Sequence, residues 1–398
     1  MENSFIYNRP RKNHNFAFYK AQYFFVFSGD ALFSPFFALF FVAAKLSTFE
    51  SGVLLGLVPF FLFVGDFLCG LLSKSYKINL LMMRILCLLE AVMIFLCGTF
   101  TSFPALVVII SLASLSNGAL FQTQDASSSI CCKKEKKGFD SVRIYGSIAY
   151  CLALFLDYFF LKDATLETYS LIFRLSSFIF ILAFLSTLGN KDYPDVVFAK
   201  TSKAKLHFDK NFLFFLIFYV LVNGAVNIAG YYVPLYLKEL GLGDNEYSLF
   251  YSIRVVCEIC IILPYHKFIL PLFKSHKNCL IIGTCLLLLS LFMSVVVPYK
   301  MPLVALYNCF RGFGSGFMIV SGVGFLLETL GDERMTSGLA LVSAITNLFS
   351  GVGNLVSPYV YTGSSFILLF GILLGIGLLG YVSLFFTFPK ERNVPIKS

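Results

Sequence analysis

The sequence predicts an all-α membrane protein of twelve transmembrane helices in two pseudo-symmetric six-helix bundles, and three observations predict it. The 398 residues are 58% hydrophobic and only 13% charged, with a mean hydropathy of +0.81, more apolar surface than a soluble core can bury. The apolar residues fall in successive runs of the length needed to cross lipid, about 20 residues for roughly 30 Å of hydrocarbon. The basic residues collect in alternate loops.

The first run, Phe16 to Ala43, follows a basic start at Arg9, Arg11 and Lys12. It is long and has no evident small-residue cleavage site, so it reads as an anchor and not as a cleaved leader. Gly52 to Leu72 and Ile78 to Gly98 meet at the basic stretch Lys74 to Arg84. Pro104 to Ile130 and Val142 to Leu161 flank the basic run Lys133 to Arg143, and Tyr169 to Leu188 closes the first six. Asn190 to Asn211 has no apolar run and carries Lys191, Asp192, Asp195, Lys200, Lys203, Lys205, Asp209 and Lys210. The second six follow as Phe212 to Leu237, Tyr247 to Tyr265, Cys279 to Val297, Pro302 to Leu330, Thr336 to Tyr359 and Phe366 to Phe388. The domain organisation expected is therefore a bundle over 1–189, a charged cytoplasmic linker over 190–211, and a second bundle over 212–398.

Loop charge orients the chain. With the amino terminus inside, inner segments hold 23 Lys and Arg, whereas outer loops hold four, at Lys45, Lys162, Lys238 and Lys300. The bias places both termini in the cytoplasm of a protein of the cell membrane. The net charge of +9 is then a topology signal, and no nucleic-acid partner is expected from it. The 11 cysteines lie mostly in apolar spans without zinc-ligand spacing, as small buried hydrophobes do. Cys131 and Cys132, beside Lys133 to Lys137, are open to a second reading as palmitoylated or redox-active thiols. No metal and no cofactor is expected.

The halves repeat. Ser28-Gly29, Pro35, Leu46 and Glu50 have counterparts in Asn223-Gly224, Pro234, Leu242 and Glu246, with an offset of 196 residues for the Leu and Glu pairs. Two parallel six-helix repeats with a midplane cavity between them follow from this. Twelve spans, a central basic loop and paired halves resemble the major facilitator superfamily. A sharper likeness lies in Arg143-Ile-Tyr-Gly-Ser-Ile-Ala-Tyr150, which is similar to the Arg-x-aromatic-Gly-x-x-small-aromatic motif of the lactose permease branch and related proton-coupled sugar and nucleoside symporters. That resemblance implies a partner acid eighteen residues before the Arg, where Asp125 stands. Gly29 to Pro35, Leu46 to Gly52, and Arg334-Met-Thr-Ser-Gly338 are similar to the same branch. The sequence departs from it at Tyr150, where galactoside carriers have Trp, and at Lys74 in Gly70-Leu-Leu-Ser-Lys74, where an Asp is usual.

An ionised side chain at the bilayer centre costs about 2.5–3.5 kcal/mol even on lenient scales. Charges within spans therefore point to a wet path. They are Asp30, Asp66, Glu90, Asp125, Arg143, Asp157, Arg174, Arg254, Glu258 and Arg311, and all but Glu90, Asp157 and Arg174 fall well inside, or at the inner ends of, the spans that the superfamily fold turns toward its cavity. Arg143 and Tyr150, seven residues apart, share a helix face, fit to hydrogen-bond a polyol and stack on its apolar side with Asp125 accepting. A structural ion pair pinning two helices is the other reading of Asp125 and Arg143. Glu258 resembles the eighth-span Glu of the family, whose carboxyl takes up and releases a proton; the alternative is that Arg254, one turn away, neutralises it. Arg311 stands where relatives often have His, and Gly314 lacks the carboxylate that the lactose permease has there. Asp30 and Asp66 are alternative proton carriers, or partners of Arg143, Arg254 or Arg311. Asn223 and Asn227, and the stripe Ser343, Asn347, Ser350 and Asn354, recur at helical spacing to meet solute or to join helices.

The function expected is secondary active transport: proton-coupled symport of a small polar solute, a sugar, oligosaccharide or nucleoside, by a monomer in a lipid bilayer. The alternatives are proton-driven export of amphipathic compounds, which 48 Phe would suit, and a membrane enzyme acting on lipid-linked groups. His14, His207, His266 and His276 are too widely spaced to build a catalytic cluster for the latter, and no phosphate-binding glycine loop with Lys is present.

Overall fold

The computed structural model describes residues 15–73, 75–191, 210–296, 301–330, 332–363 and 365–387. The basic start at Arg9 to Lys12, Lys74, Lys300, His14, His207, most of the linker (192–209) and the tail after Phe388 lie outside the described residues, as do the side chains of Arg334 to Ser337. The described chain is helical. Its spans are α1 (Asn15–Ala43), α2 (Thr48–Leu72), α3 (Tyr76–Cys97), α4 (Phe103–Lys134), α5 (Asp140–Phe160) and α6 (Leu166–Leu188). The second set is α7 (Lys210–Glu239), α8 (Asp244–Ile262 with Tyr265–Phe273), α9 (His276–Val296), α10 (Met301–Leu330), α11 (Asp332–Gly363) and α12 (Phe366–Phe385). Eleven helices are long and apolar enough to cross a membrane, and the bent pair of α8 makes twelve.

Two of these spans are interrupted, and a proline explains each break. α1 passes through a 3₁₀ turn at Ser34–Phe36, centred on Pro35. α8 bends by 52° between Ile262 and Tyr265, where Pro264 removes a backbone donor, so the span expected to stop at Tyr265 continues in a new direction.

The two bundles repeat one packing scheme. In the first, α1 packs on α5 and α6, α2 on α4, and α3 on α4 and α6; in the second, α7 packs on α11 and α12, α8 on α10, and α9 on α10 and α12. The same pairs recur six helices later. Even the caps repeat: Glu50 accepts from the Ser47 N–H at 2.8 Å at the start of α2, and Glu246 from the Gly243 N–H at 2.9 Å at the start of α8. Close approach of backbones holds α8 to α10, where Gly312 and Gly316 lie against the carbonyls of Arg254 and Glu258. Gly371 and Gly375 face open space, so their small-residue spacing makes no such close approach in α12.

Between the bundles run two equivalent seams, α2 with α11 and α5 with α8. Asn354 on α11 donates to the Leu55 carbonyl on α2 at 3.0 Å, and the Ser248 hydroxyl on α8 donates to the Leu154 carbonyl on α5 at 2.5 Å. Gly52 fits only because it has no side chain to meet Pro358 of α11. Tyr169 donates to Asp244 at 2.7 Å, and Phe36 meets Tyr247 edge to face. Among the described residues, each hydrogen bond or ring contact that joins the bundles lies at midplane or toward the end away from the termini. That far end is shut, and the end bearing the termini is parted.

Candidate functional site

The parted bundles enclose two adjoining cavities. The larger, about 490 Å³, is lined by Asn223 and Asn227 of α7, Arg254 and Glu258 of α8, Ser315 of α10, and Ser343, Thr346 and Asn347 of α11, with Gln122 facing them from α4. Toward the termini its lining residues Gln122, Ile319, Leu339 and Ala340 are exposed. The smaller, about 230 Å³, lies deeper, between Pro35 and Pro59 of the first bundle and Asn227, Tyr231, Tyr247, Tyr251, Arg254, Arg311 and Asn347 of the second. The combined space lies within the range for small-molecule sites, about 300–1,000 Å³.

Sequence pattern explains who lines it. Asn223 and Asn227 sit one turn apart, as do Ser343, Asn347 and Ser350, so α7 and α11 each turn a polar face inward. The α11 stripe then changes role along its length: Asn354, a turn beyond Ser350, is buried in the seam and joins the bundles.

The two cavity arginines are held differently. Arg311, 5% exposed, donates to the Tyr307 hydroxyl at 2.9 Å and to the Val226 carbonyl at 3.0 Å. Arg254 lies 4.9 Å over the Tyr251 ring. Its Nε has no partner among the described residues, and its guanidinium makes no ion pair within 4.0 Å of Glu258, although its charge and that of Arg143 both act on that carboxyl. Both guanidinium groups thus keep donors for a ligand.

Asp125 and Arg143 sit nearer the termini. They approach only to 4.0 Å, with side chains 45% and 43% exposed. Tyr23 of α1 donates to Asp125 at 2.5 Å, and Arg143 lies 4.4 Å over the Phe27 ring. Tyr150, two turns along α5, stacks on Tyr251 of α8 with ring centroids 6.2 Å apart. The motif is therefore spread along the α5 wall, and Arg143 and Tyr150 do not grip one point.

Asp30 meets no arginine. Asn117 of α4 donates to Asp30 at 3.1 Å and to Glu90 of α3 at 3.3 Å, and the Ser116 hydroxyl closes on the other Glu90 oxygen. Asp30, Glu90 and Asn117 line a third cavity of about 50 Å³, which Tyr231 of the second bundle covers. Glu90, fully buried, was assigned by sequence to a supporting span; it reaches the interior because the small residues Ala113, Ser114 and Ser116 of α4 leave room for it. Asp66 lies against Gly118 of α4, near Gln122. Cys131 and Cys132 are buried, away from the surface that modification requires. Among the described residues, no group of His, Cys, Asp and Glu is placed to hold a metal.

Residues 16–372 match the MFS_1-like family. Among solved structures the chain is similar to the nucleoside transporter NupG, with 16% identity, a TM-score of 0.78, and 94% of this chain and 99% of that one covered. It is similar to the xylose transporter XylE from E. coli in an inward-open conformation, with 12% identity, a TM-score of 0.71, and 94% and 96% covered. A D-xylose-proton symporter aligns at 16% identity and a TM-score of 0.67, with 94% and 97% covered. At these identities the likeness is one of fold. No curated protein sequence matches the chain.

Proposed function

The chain belongs to the MFS_1-like family of the major facilitator superfamily, and from that premise we propose that it is a secondary active symporter carrying a small polar solute, a sugar, oligosaccharide or nucleoside, together with protons. One observation carries the reading: a crevice between two pseudo-symmetric bundles, shut at one end and open at the other, lined by two arginines, three asparagines and a row of tyrosines. Guanidinium and amide groups offer donors and acceptors to hydroxyls, and Tyr231, Tyr247 and Tyr251 offer ring faces to a sugar or base. The similar structures, of a nucleoside transporter and two xylose transporters, support that substrate class.

In this reading Arg254, Arg311, Asn223, Asn227 and Asn347 hold the solute, with Asp125, Arg143 and Tyr150 along the entry wall. Asp30, Asp66 and Glu258 are the proton carriers, and Arg311 tunes them. Exchange of the shut end for the open one moves solute and proton across. The protein works as a monomeric carrier and not as an enzyme, with both termini and a linker over 190–211 in the cytoplasm. The open end then faces the cytoplasm.

The test is uptake of a panel of sugars and nucleosides into vesicles under an imposed pH gradient, comparing the natural chain with Glu258→Gln and Arg143→Ala. Gradient-driven uptake of at least one compound, weakened by both changes, is the expected result. Uptake indifferent to the gradient removes symport, and uptake indifferent to both substitutions removes the site.

A further inference from the structure

One buried acid takes no part in the crevice. Asp157, near the far end of α5, is 0% exposed, and neither carboxyl oxygen has a hydrogen-bond partner among the described residues. It lies one turn beyond Leu154, whose carbonyl receives the Ser248 hydroxyl across the seam. Tyr169 of α6 lies within electrostatic reach of it. The Tyr169 hydroxyl donates at 2.7 Å to Asp244 of α8, and the Lys238 ammonium holds the same Asp244 oxygen at 2.8 Å. The titratable and charged groups around it are thus Tyr169 from α6, Asp244 and Tyr247 from α8, and Lys238 from the end of α7. From α1 come Phe36 against Tyr247 and Phe40 against Tyr169, with no titratable side chain from Phe33 to Ala43.

We propose that Asp157 is a proton-binding group of the far-end seam, one that must be protonated for the bundles to shut there. A carboxylate deprived of water and of any donor is not tolerated in an apolar interior, so the shut seam accommodates the neutral acid alone. The Lys238 ammonium is engaged by Asp244, and among the described residues no cation comes within ion-pair distance of Asp157. When the bundles part, water reaches the carboxyl and the proton can leave. The shut state therefore binds this proton more tightly than the open state, and by linkage protons at the far face favour closure. The proton enters and leaves on one side, so it sets the position of the seam and is not carried across. The inference rests on the alternating-access reading above, yet assigns a site separate from the crevice.

The chain contains no tryptophan, which allows a clean optical test. Phe49→Trp puts a single reporter on α2 at the seam, where the Phe49 ring lies 6.1 Å from Tyr359 of α11. In the purified protein in lipid nanodiscs, emission should shift to the red with rising pH as the seam parts. Asp157→Asn and the apolar Asp157→Leu should each hold the low-pH emission across the whole range. A shift that persists in both Asp157 variants, or no pH response in the parent, overturns the proposal. Failure of gradient-driven uptake with the seam response intact would instead fell the symport reading alone.

Discussion

The two bundles share one scaffold and oppose each other in charge. In its interior the first holds Asp30 and Glu90, both bonded to the neutral amide of Asn117. The second holds Arg254 and Arg311 among tyrosines, asparagines and a backbone carbonyl, with Glu258 lining the same cavity as Arg254. Since the same helix pairs pack in both, the difference lies in side chains and not in architecture. It separates two tasks: permanent cations with free donors suit a polar solute, and acids without a counter-cation suit a proton. Each prediction below tests that division, beginning with the largest effect.

Arg311→Ala should lower uptake most. Its guanidinium is buried and oriented by Tyr307 and Val226, and charge-assisted hydrogen bonds are worth about 1.5–3 kcal/mol. Uptake should fall by about 100-fold at limiting solute, and Arg311→Lys should not restore it, because a single ammonium cannot reproduce the planar fork. Initial-rate uptake against solute concentration measures this. Full activity in the Lys variant would show that the second bundle supplies only charge.

Glu90→Gln addresses the acids of the first bundle. Gln preserves the shape and can still hydrogen-bond to Asn117 and Ser116, but it cannot ionise. Gradient-driven accumulation should drop by roughly tenfold, the effect of about 1.4 kcal/mol, while exchange of labelled for unlabelled solute continues. Asp30→Asn should do the same, and the double variant should lose little more, because the two carboxyls share one donor. Undiminished accumulation in all three would reduce these acids to structural groups.

Much of this was legible before any coordinates. Span number and the two-bundle fold follow from hydropathy, because hydrocarbon thickness fixes helix length. Asn223, Asn227 and Asn347 were recognisable from helical spacing alone, and the structure lines the larger cavity with all three. Glu90 escaped because burial in a membrane bundle depends on which neighbour is small, and the Ala113 to Ser116 stretch lies on a different helix. The spread of Arg143 and Tyr150 along α5 follows from helix rise: residues seven apart share a face but lie two turns apart. The bend at Pro264 was visible as a residue, though not as a 52° turn.

The seam gives a smaller effect, since it tests the frame on which the charges are mounted. A methyl at Gly52 would strike Pro358, and overpacking costs about 1–3 kcal/mol. Gly52→Ala should therefore destabilise the far-end-shut state selectively, and emission from Trp at position 49 should move toward the open form at neutral pH. The crevice residues are untouched, so exchange should persist at a changed rate. Unaltered emission would mean that the α2–α11 contact relaxes at little cost.

The smallest expected effect is on stability, at the edge of the crevice. Asp125 and Arg143 stand 4.0 Å apart with each side chain about half exposed, and ion pairs of that kind contribute about 0–1 kcal/mol. The pair of Asp125 and Arg143 meets at the mouth of the crevice, apart from the buried acids and cations within it. If it serves the solute, Arg143→Ala should leave thermal unfolding nearly unchanged, within the shift that about 1 kcal/mol produces, yet reduce uptake severalfold. If it pins α4 to α5, the order reverses: unfolding temperature falls and the surviving protein transports normally. Measuring both in one preparation separates a binding role from a bracing one, because Phe27 and Tyr23 continue to pack α1 against this wall in either case.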